Sequence, residues 1–225
     1  MSVSITTSNL PSDGNTPLSP SAIPDLKLLP TPLASSALPV GQLASKSSKH
    51  NPTTLEDRDY DDIGTRWYKD VILVSTPTGR FTASLGGIHL VQRPGEGEEV
   101  GTIEAEQQRV RLLKDPSAAL QKAVSASDAK QWLEEQTEGD VGFVVATREV
   151  TNASYKRARL VDVGNGNWEV VREIGAETKG GKRRPSGLEV QTGSKSDVVG
   201  VLVRKVIVEG GNVTLGAEID AEFWN

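Results

Sequence analysis

A valine-rich run near the C-terminal end of the chain sets the strongest limit on what it can fold into. Residues 198–209 read Val-Val-Gly-Val-Leu-Val-Arg-Lys-Val-Ile-Val-Glu, the densest run of β-branched residues in the sequence. Asp197 precedes the run and two glycines follow it, so it is too short for a membrane-spanning helix and is typical of a strand buried on both faces. A buried helix is the alternative, which is disfavoured because valine loses rotamer freedom in a helix. We predict that the run is the central strand of a sheet.

The first 54 residues differ in composition from the rest of the chain. They hold eight of the 12 prolines and no Phe, Tyr or Trp. Proline interrupts helices and sheet ladders, and few large side chains remain to offset the entropy of ordering the segment. We predict a disordered Pro/Ser-rich tail over residues 1–54 and one domain over residues 55–225. Within the tail, residues 23–29 are a candidate for a short helix on contact with a partner, with a solvated tail as the alternative.

Apolar periodicity and turn residues predict an α+β fold, with a twisted, mainly antiparallel β-sheet and two or three short helices. One helix begins at Asp115, which caps it with Pro116 in the first turn, and a second begins near Ser127. Turns are predicted at residues 76–79, 152–154 and 164–167. The other strands are predicted at residues 67–75, 80–85, 88–91, 102–113, 141–150, 155–163, 168–174, 188–191 and 213–219.

Several kinds of chemistry lack the residues they need. There is no cysteine, and the two histidines, His50 and His89, are far apart without nearby ligands, so disulfides, thiolate metal sites and a Ser-His-Asp triad are not expected. The acidic cluster at 56–62 lacks the glycine and closing glutamate of a calcium loop. No phosphate-binding loop or nucleophile elbow is present. We therefore expect a non-catalytic protein without metal or cofactor.

Charge is distributed unevenly along the chain. The net charge of −5 argues against a strongly basic nucleic-acid binder, yet residues 148–205 hold 12 Lys or Arg against seven Asp or Glu. The glycine-rich loop at 178–187 contains Lys182, Arg183 and Arg184. Such cations attract acidic lipid headgroups by about 1 kcal/mol each, although a solvated loop is an equal alternative. No signal-peptide pattern or apolar helical span is visible, so we expect a soluble intracellular protein.

From residue 67 to 220 the order of elements resembles the pore-forming domain of gasdermins, most closely the single-domain fungal branch. A short acidic helix over residues 128–135 leads through Gly139 into an apolar strand. A basic strand pair, a basic loop with glycines, residues 188–191 and the long valine strand then follow. The hairpin at 67–91 with its Arg-Pro-Gly exit resembles that domain's first two strands. Two features depart from the family: a proline-rich tail replaces its basic amphipathic helix, and residues 97–115 are short for a first membrane-inserting hairpin.

The resemblance implies a cytoplasmic monomer that binds acidic phospholipids, forms a homo-oligomer and permeabilises the plasma membrane in regulated cell death. It implies no nucleic-acid partner, and activation by a protease that removes residues 210–225 or by contact with an allelic partner. The strands at 155–163 and 168–174 would insert, with Arg157, Arg159, Glu169 and Glu173 facing the lumen. The alternative is a non-catalytic β-rich protein-interaction module whose tail binds the partner. The implied lipid-binding residues are Lys156, Arg157, Arg172, Lys182, Arg183 and Arg184.

Overall fold

The computed structural model describes residues 24–85, 89–90, 95, 97–136, 140–164, 167–172, 188, 190 and 192–220. These residues form one 12-stranded sheet and two α-helices, which agrees with the predicted α+β class. The helices are α1 (Pro116–Ala123) and α2 (Ser127–Glu135), with short 3-10 helices at Ser35–Ala37 and Asp57–Asp59. The strands are β1 (Lys27–Ala34), β2 (Leu43–Ala44), β3 (Lys49–His50), β4 (Tyr60–Ser75), β5 (Phe81–Ser84), β6 (His89–Leu90), β7 (Glu98–Leu113), β8 (Gly142–Thr151), β9 (Ser154–Gly164), β10 (Asn167–Arg172), β11 (Ser196–Glu209) and β12 (Asn212–Glu218).

The valine-rich run forms β11, a central strand as predicted. It pairs antiparallel with β8 on one edge, and with β1 and β12 on the other. Val198 and Val199 are fully buried and Val203 is 2% exposed, whereas Val208 at the far end is 56% exposed. The run is therefore a strand enclosed on both faces over most of its length, and the helix alternative is wrong.

The boundary of the predicted tail has to be corrected, because residues 24–54 belong to the folded part. β1 pairs with β11 from Lys27 opposite Val201 to Ala34 opposite Asp197. Pro30 and Pro32 fit within β1 because they lie between Leu28 and Leu33, where the ladder with β11 is interrupted, and because β1 is the last strand of the sheet on that side. Strand structure from Lys27 onward also replaces the predicted contact helix. Residues 1–23 lie outside the described part of the chain.

Strand β7 pairs with other strands along both of its edges without a change of register. β4 runs along one edge from Tyr60 opposite Leu113 to Ser75 opposite Glu98. On the other edge β8 pairs as far as Thr151 opposite Gln107, and β9 resumes at Ser154 opposite Glu104. The three-residue steps match, so β8 and β9 lie end to end along β7. The predicted turn at 152–154 is therefore wrong, because the chain bends there without reversing its direction.

Residues of irregular backbone conformation lie side by side across the sheet at this bend. Asn152 has φ 51° and Trp67 in β4 has φ 58°, and both lie beside Glu106 of β7 where the ladders are interrupted. Asn152 Nδ2 donates to Glu106 Oε2 at 2.7 Å. A positive φ is tolerated by asparagine but costs a bulky residue such as tryptophan about 1–3 kcal/mol. We call the line Trp67–Glu106–Asn152 the crease; β8 and β11 lie on one side of it, and β9 and β10 on the other.

The helices close one end of the core. Leu120, Ala123 and Ala129 are fully buried in a cluster that also contains Phe143 of β8. The predicted cap of α1 is confirmed, since Asp115 Oδ1 accepts hydrogen bonds from the backbone N–H groups of Ser117 and Ala118, each at 3.0 Å. This cap stabilises the helix by about 1 kcal/mol.

Other predicted strands have mixed outcomes. The strands predicted at 80–85 and 102–113 are confirmed as β5 and β7, and the C-terminal edge strand as β12. The short segment at 88–91 pairs with β10 through β6. Leu188 and Val190, the described residues of the predicted strand at 188–191, are in no strand and pack against the buried cluster around Ile103.

Replacement of Leu29 by alanine tests the corrected boundary. Leu29 is 1% exposed, so Leu29→Ala should lower the free energy of unfolding by about 2–5 kcal/mol through lost burial and a residual cavity. Urea denaturation followed by tryptophan fluorescence measures the change. Asp25→Ala, at an exposed position of the same segment, is the matched control and should stay within about 0.5 kcal/mol of the parent chain. Equal free energies of unfolding for the two variants would show that this segment belongs to the disordered tail, as first predicted.

Candidate functional site

Strands β9 and β10 form a hairpin at the surface of the sheet. Their register places Leu160 opposite Val170 and Arg159 opposite Val171, and it ends at Gly164 opposite Asn167. Gly164 has φ 96°, a conformation that glycine adopts without strain and that opens the reversal. The predicted reversal is confirmed at this pair, although residues 165 and 166 are outside the described range.

Alternation along the strands gives the hairpin two different faces. Arg157, Arg159 and Val161 lie on one face, which the register extends to Glu169 and Val171 of β10. This face is exposed and carries charges among valines. The opposite face is apolar in its middle, where Ala158, Leu160 and Val170 pack against Val71 and Val100. Alternation also places Lys156 and the exposed Asp162 on this face.

The predicted lumen-facing charges therefore share one face as far as the structure describes them. Arg157, Arg159 and Glu169 lie together, as period-two alternation requires. Glu173 is outside the described residues.

The root of the hairpin is held by a buried tyrosine–aspartate pair. Tyr155 is 9% exposed and Asp197 of β11 is 6% exposed. The Tyr155 hydroxyl donates to Asp197 Oδ2 at 2.8 Å, and the Thr192 hydroxyl donates to Oδ1 of the same carboxylate. Burial, and next the hydrogen bond to Asp197, raise the pKa of Tyr155 far above its usual value. The phenol consequently stays protonated and keeps donating to the buried carboxylate.

The far end of the hairpin is attached much less firmly. Val161, Val163 and Val171 are 40%, 55% and 46% exposed. β10 is joined on its outer edge only by two residues of β6 within the described chain, Trp168 opposite Leu90 and Glu169 opposite His89. Exposed apolar surface on a peripheral hairpin is a common sign of a contact surface.

The structure describes the side chains of two of the predicted lipid-binding residues, Lys156 and Arg157. Lys156 Nζ lies 3.3 Å from Glu104 Oε2, and Arg157 Nη1 lies 3.2 Å from Glu99 Oε2. The two cations are neighbours in β9 and so point to opposite faces of the hairpin. Each is about half exposed and is held by one carboxylate of β7. The side chain of Arg172, and residues Lys182, Arg183 and Arg184, lie outside what the structure describes.

Sequence reasoning missed the exposed valines and the Tyr155–Asp197 root. The valines at 161 and 163 carry a readable signal, since they repeat at period two within a strand that otherwise alternates charged and small residues. No local signal marks the root, because Tyr155 and Asp197 are 42 residues apart and meet only through the sheet.

Among the described residues, no helix is long and apolar enough to cross a membrane. No group of three His, Asp or Glu side chains among them is placed to hold a metal ion.

Comparison with known proteins shows a distant structural likeness. The sequence matches no family and no curated protein. The structure is similar to that of a bacterial gasdermin from Bradyrhizobium tropiciagri, with 10% sequence identity and a TM-score of 0.34 over 86% of this chain and 87% of that chain. Similarity at this level does not assign the chain to that family.

The buried tyrosines predict a loss of stability at alkaline pH. The pKa of Tyr155 and that of Tyr68 are raised, in both cases mainly by burial. The folded chain therefore holds these protons above pH 10, near the ordinary tyrosine pKa, whereas the unfolded chain releases them. The contribution of these tyrosines to the free energy of unfolding should be constant below about pH 10 and fall as pH rises further.

Urea denaturation between pH 8 and pH 12 measures this fall, with two Tyr→Phe variants. Tyr155→Phe removes the donor to Asp197 and should lower the free energy of unfolding at pH 8 by about 1–3 kcal/mol while flattening the alkaline slope. Burial raises the pKa of Tyr60 as well, so Tyr60→Phe should also flatten the alkaline slope. It should cost little stability at pH 8, because the Tyr60 hydroxyl makes only a long 3.4 Å bond to the Val40 carbonyl. A slope unchanged by Tyr155→Phe would contradict the assigned role of this phenol.

Proposed function

We propose that the chain is a gasdermin-like pore-forming protein that binds acidic phospholipids, oligomerises and permeabilises membranes in regulated cell death. The β9–β10 hairpin is the observation that supports this most directly, because it is peripheral, rooted at one end and different on its two faces. In this proposal the role is non-catalytic and needs no cofactor. The protein waits in the cytoplasm and moves to the plasma membrane when activated.

Strand β9 has the length that a membrane strand needs, and the described part of its partner β10 covers six residues. A spanning β-strand takes about 9–11 residues, and β9 has 11. In the inserted state Ala158, Leu160 and Val170 lie against lipid, and the Arg157 and Arg159 face lines the water-filled lumen. Lys156 and Asp162 share the lipid face, so they must lie at the headgroup level on either side of its apolar middle. Open strand edges cannot stay unpaired in lipid, so the strands of many copies close into one barrel. This requirement is the reason for proposing a homo-oligomer.

Strands β4 and β7 offer a second pair of sufficient length. Each has 16 residues, and they are paired from end to end. Residues 97–115, although short for a complete hairpin, thus supply one long strand whose partner is β4. The proposal therefore does not depend on the β9–β10 hairpin alone.

Release of the hairpin requires specific contacts to break, and acidic lipids compensate for some of them. The β7–β9 ladder from Val100 to Glu104 and the Tyr155–Asp197 bond must open. Lys156 and Arg157 must leave the carboxylates of β7, and lipid phosphates replace those partners at about 1 kcal/mol for each cation near an anionic surface. We propose that Arg172, Lys182, Arg183 and Arg184 add further lipid contacts beside them.

The C-terminal segment is a suitable place for a trigger. β12 covers the edge of β11 from Arg204 to Glu209, and Arg204 Nη2 donates to the Gly216 carbonyl at 2.7 Å. Without residues 210–225 this edge has unpaired backbone groups, which favour addition of a strand from another copy. We propose that an activating protease, or contact with an allelic partner, exposes the edge.

Dye release from liposomes tests the proposed function. The chain with and without residues 210–225 is added to dye-filled liposomes that contain phosphatidylserine, or phosphatidylcholine alone. We expect release from the phosphatidylserine liposomes only, and faster release with the shortened chain. Dye retention in all four combinations would overturn the pore proposal and favour the protein-interaction alternative.

A reversible lock tests whether the hairpin itself must move. The chain has no cysteine, so Val100→Cys with Ala158→Cys introduces one disulfide between cross-strand partners of β7 and β9. Neighbouring strands bring Cα atoms within the 4.4–6.8 Å that a disulfide accepts. Release should stop in the oxidised variant and return with reductant. Ala146→Cys with Leu202→Cys, between β8 and β11, is the matched control and should leave release unchanged in both redox states. Equal release by the oxidised lock and its reduced form would show that this hairpin stays in place.

A further inference from the structure

A polar groove of about 530 Å³ lies over β4, β7, β8 and β11, beside the crease and away from the hairpin. Its residues come from both sides of β7 and from the start of β11, so four adjacent strands form its floor. None of its residues belongs to the β9–β10 hairpin, although β4 and β7 also form the second strand pair of the proposed membrane function.

One transverse row of side chains at the crease end of the groove carries hydrogen-bond donors. Arg66 lies opposite Gln107, Gln107 opposite Thr151, and Thr151 opposite Ser196. All four residues line the groove. Neighbours in such a row are about 4.5–5.5 Å apart, so one bound group touches two or three of them at once. We call these four residues the donor row.

The donor row is not paired with any described carboxylate. Arg66 is exposed and forms no ion pair with any described carboxylate, and Gln107 is exposed without a hydrogen bond in the same part of the chain. The hydroxyls of Thr151 and Ser196 are 3.0 Å apart, so one proton joins them and the other remains available. A guanidinium fork beside an amide and hydroxyl donors is the arrangement that binds the oxygens of a phosphate group.

The other end of the groove accepts hydrogen bonds. Arg109 Nη2 lies 2.7 Å from Glu149 Oε2, and its Nε lies 3.9 Å from Asp62 Oδ1. The positive charge of Arg109 is thereby compensated. Both carboxylates keep lone pairs that accept hydrogen bonds from hydroxyl groups. Gly64 faces Arg109 across the strands and has no side chain to fill the space above it. A Cβ placed there meets only the Gln108 carbonyl oxygen, at 3.7 Å, so a larger residue fits without a clash.

We infer that this groove binds a sugar phosphate, with the phosphate on the donor row and the sugar hydroxyls on Asp62 and Glu149. The donor row suits the anionic phosphate, which accepts hydrogen bonds. The carboxylates of Asp62 and Glu149 suit the sugar hydroxyl groups, which donate them. The same chemistry occurs in free sugar phosphates and in lipid headgroups that contain a phosphorylated ring. The site is separate from the hairpin and stands whether or not the chain forms pores.

Calorimetric titration of the full chain tests the inference, with glucose 6-phosphate and ribose 5-phosphate as probes and inorganic phosphate and glucose as their parts. We expect at least one sugar phosphate to bind at least tenfold more tightly than either part. Arg66→Gln should weaken that binding at least tenfold, and Gly64→Leu should abolish it by filling the groove. Arg58→Gln is the matched control, since it removes an exposed arginine that is paired with Glu56 outside the groove, and it should bind like the parent chain.

A vesicle arm distinguishes the two sources of the ligand. Binding to vesicles with phosphatidylinositol 4-phosphate that is lost in Gly64→Leu would identify a lipid headgroup, and binding only to the soluble probes would identify a free metabolite. Absence of binding to both sugar phosphates and to the vesicles, by a chain whose circular dichroism shows it folded, would overturn the inference. So would equal affinities of Gly64→Leu and Arg58→Gln.

Discussion

The constant register along β7 is the constraint on which the rest of the structure depends. This strand carries β4 on one edge, and β8 followed by β9 on the other, with the same pairing step throughout. A slip of one residue would move every side chain to the opposite face. Tyr155 would then turn away from Asp197, and the donor row across the groove would be lost. The hairpin and the groove are therefore two consequences of one strand pairing.

The crease explains how one sheet presents two different surfaces. At Trp67 and Asn152 the backbone has positive φ, and the ladders on both edges of β7 are interrupted beside Glu106. On one side the strands pack against the valine-rich β11 and are fixed. On the other side β9 continues into a hairpin whose last residues are exposed. Trp67 is 81% exposed despite its strained backbone, so neither burial nor local conformation accounts for a tryptophan at this position.

Local sequence signals predicted the parts of the fold that local physics decides. The β-branched run gave β11, Asp115 gave the helix cap, and alternation placed Arg157 and Arg159 on one face. The tail boundary failed because Pro30 and Pro32 were weighed against sheet structure in general, whereas an edge strand tolerates them. The turn predicted at 152–154 was wrong because the same residues suit a reversal or a bend within extended chain, and the pairing with β7 on both sides decides for the bend. The ion pair of Lys156 with Glu104 spans 52 residues, so no short pattern contains it.

In the proposed mechanism the β9–β10 hairpin leaves the sheet and enters a bilayer with its two faces separated. Environment-sensitive fluorophores on single cysteines at 158, 159, 160 and 161 test this most directly, because the chain has no cysteine of its own. With phosphatidylserine vesicles, the account predicts a strong blue shift at Ala158 and Leu160 and none at Arg159 and Val161, in step with strand alternation. Spectra that do not change with vesicles, or that shift equally at all four positions, would contradict it.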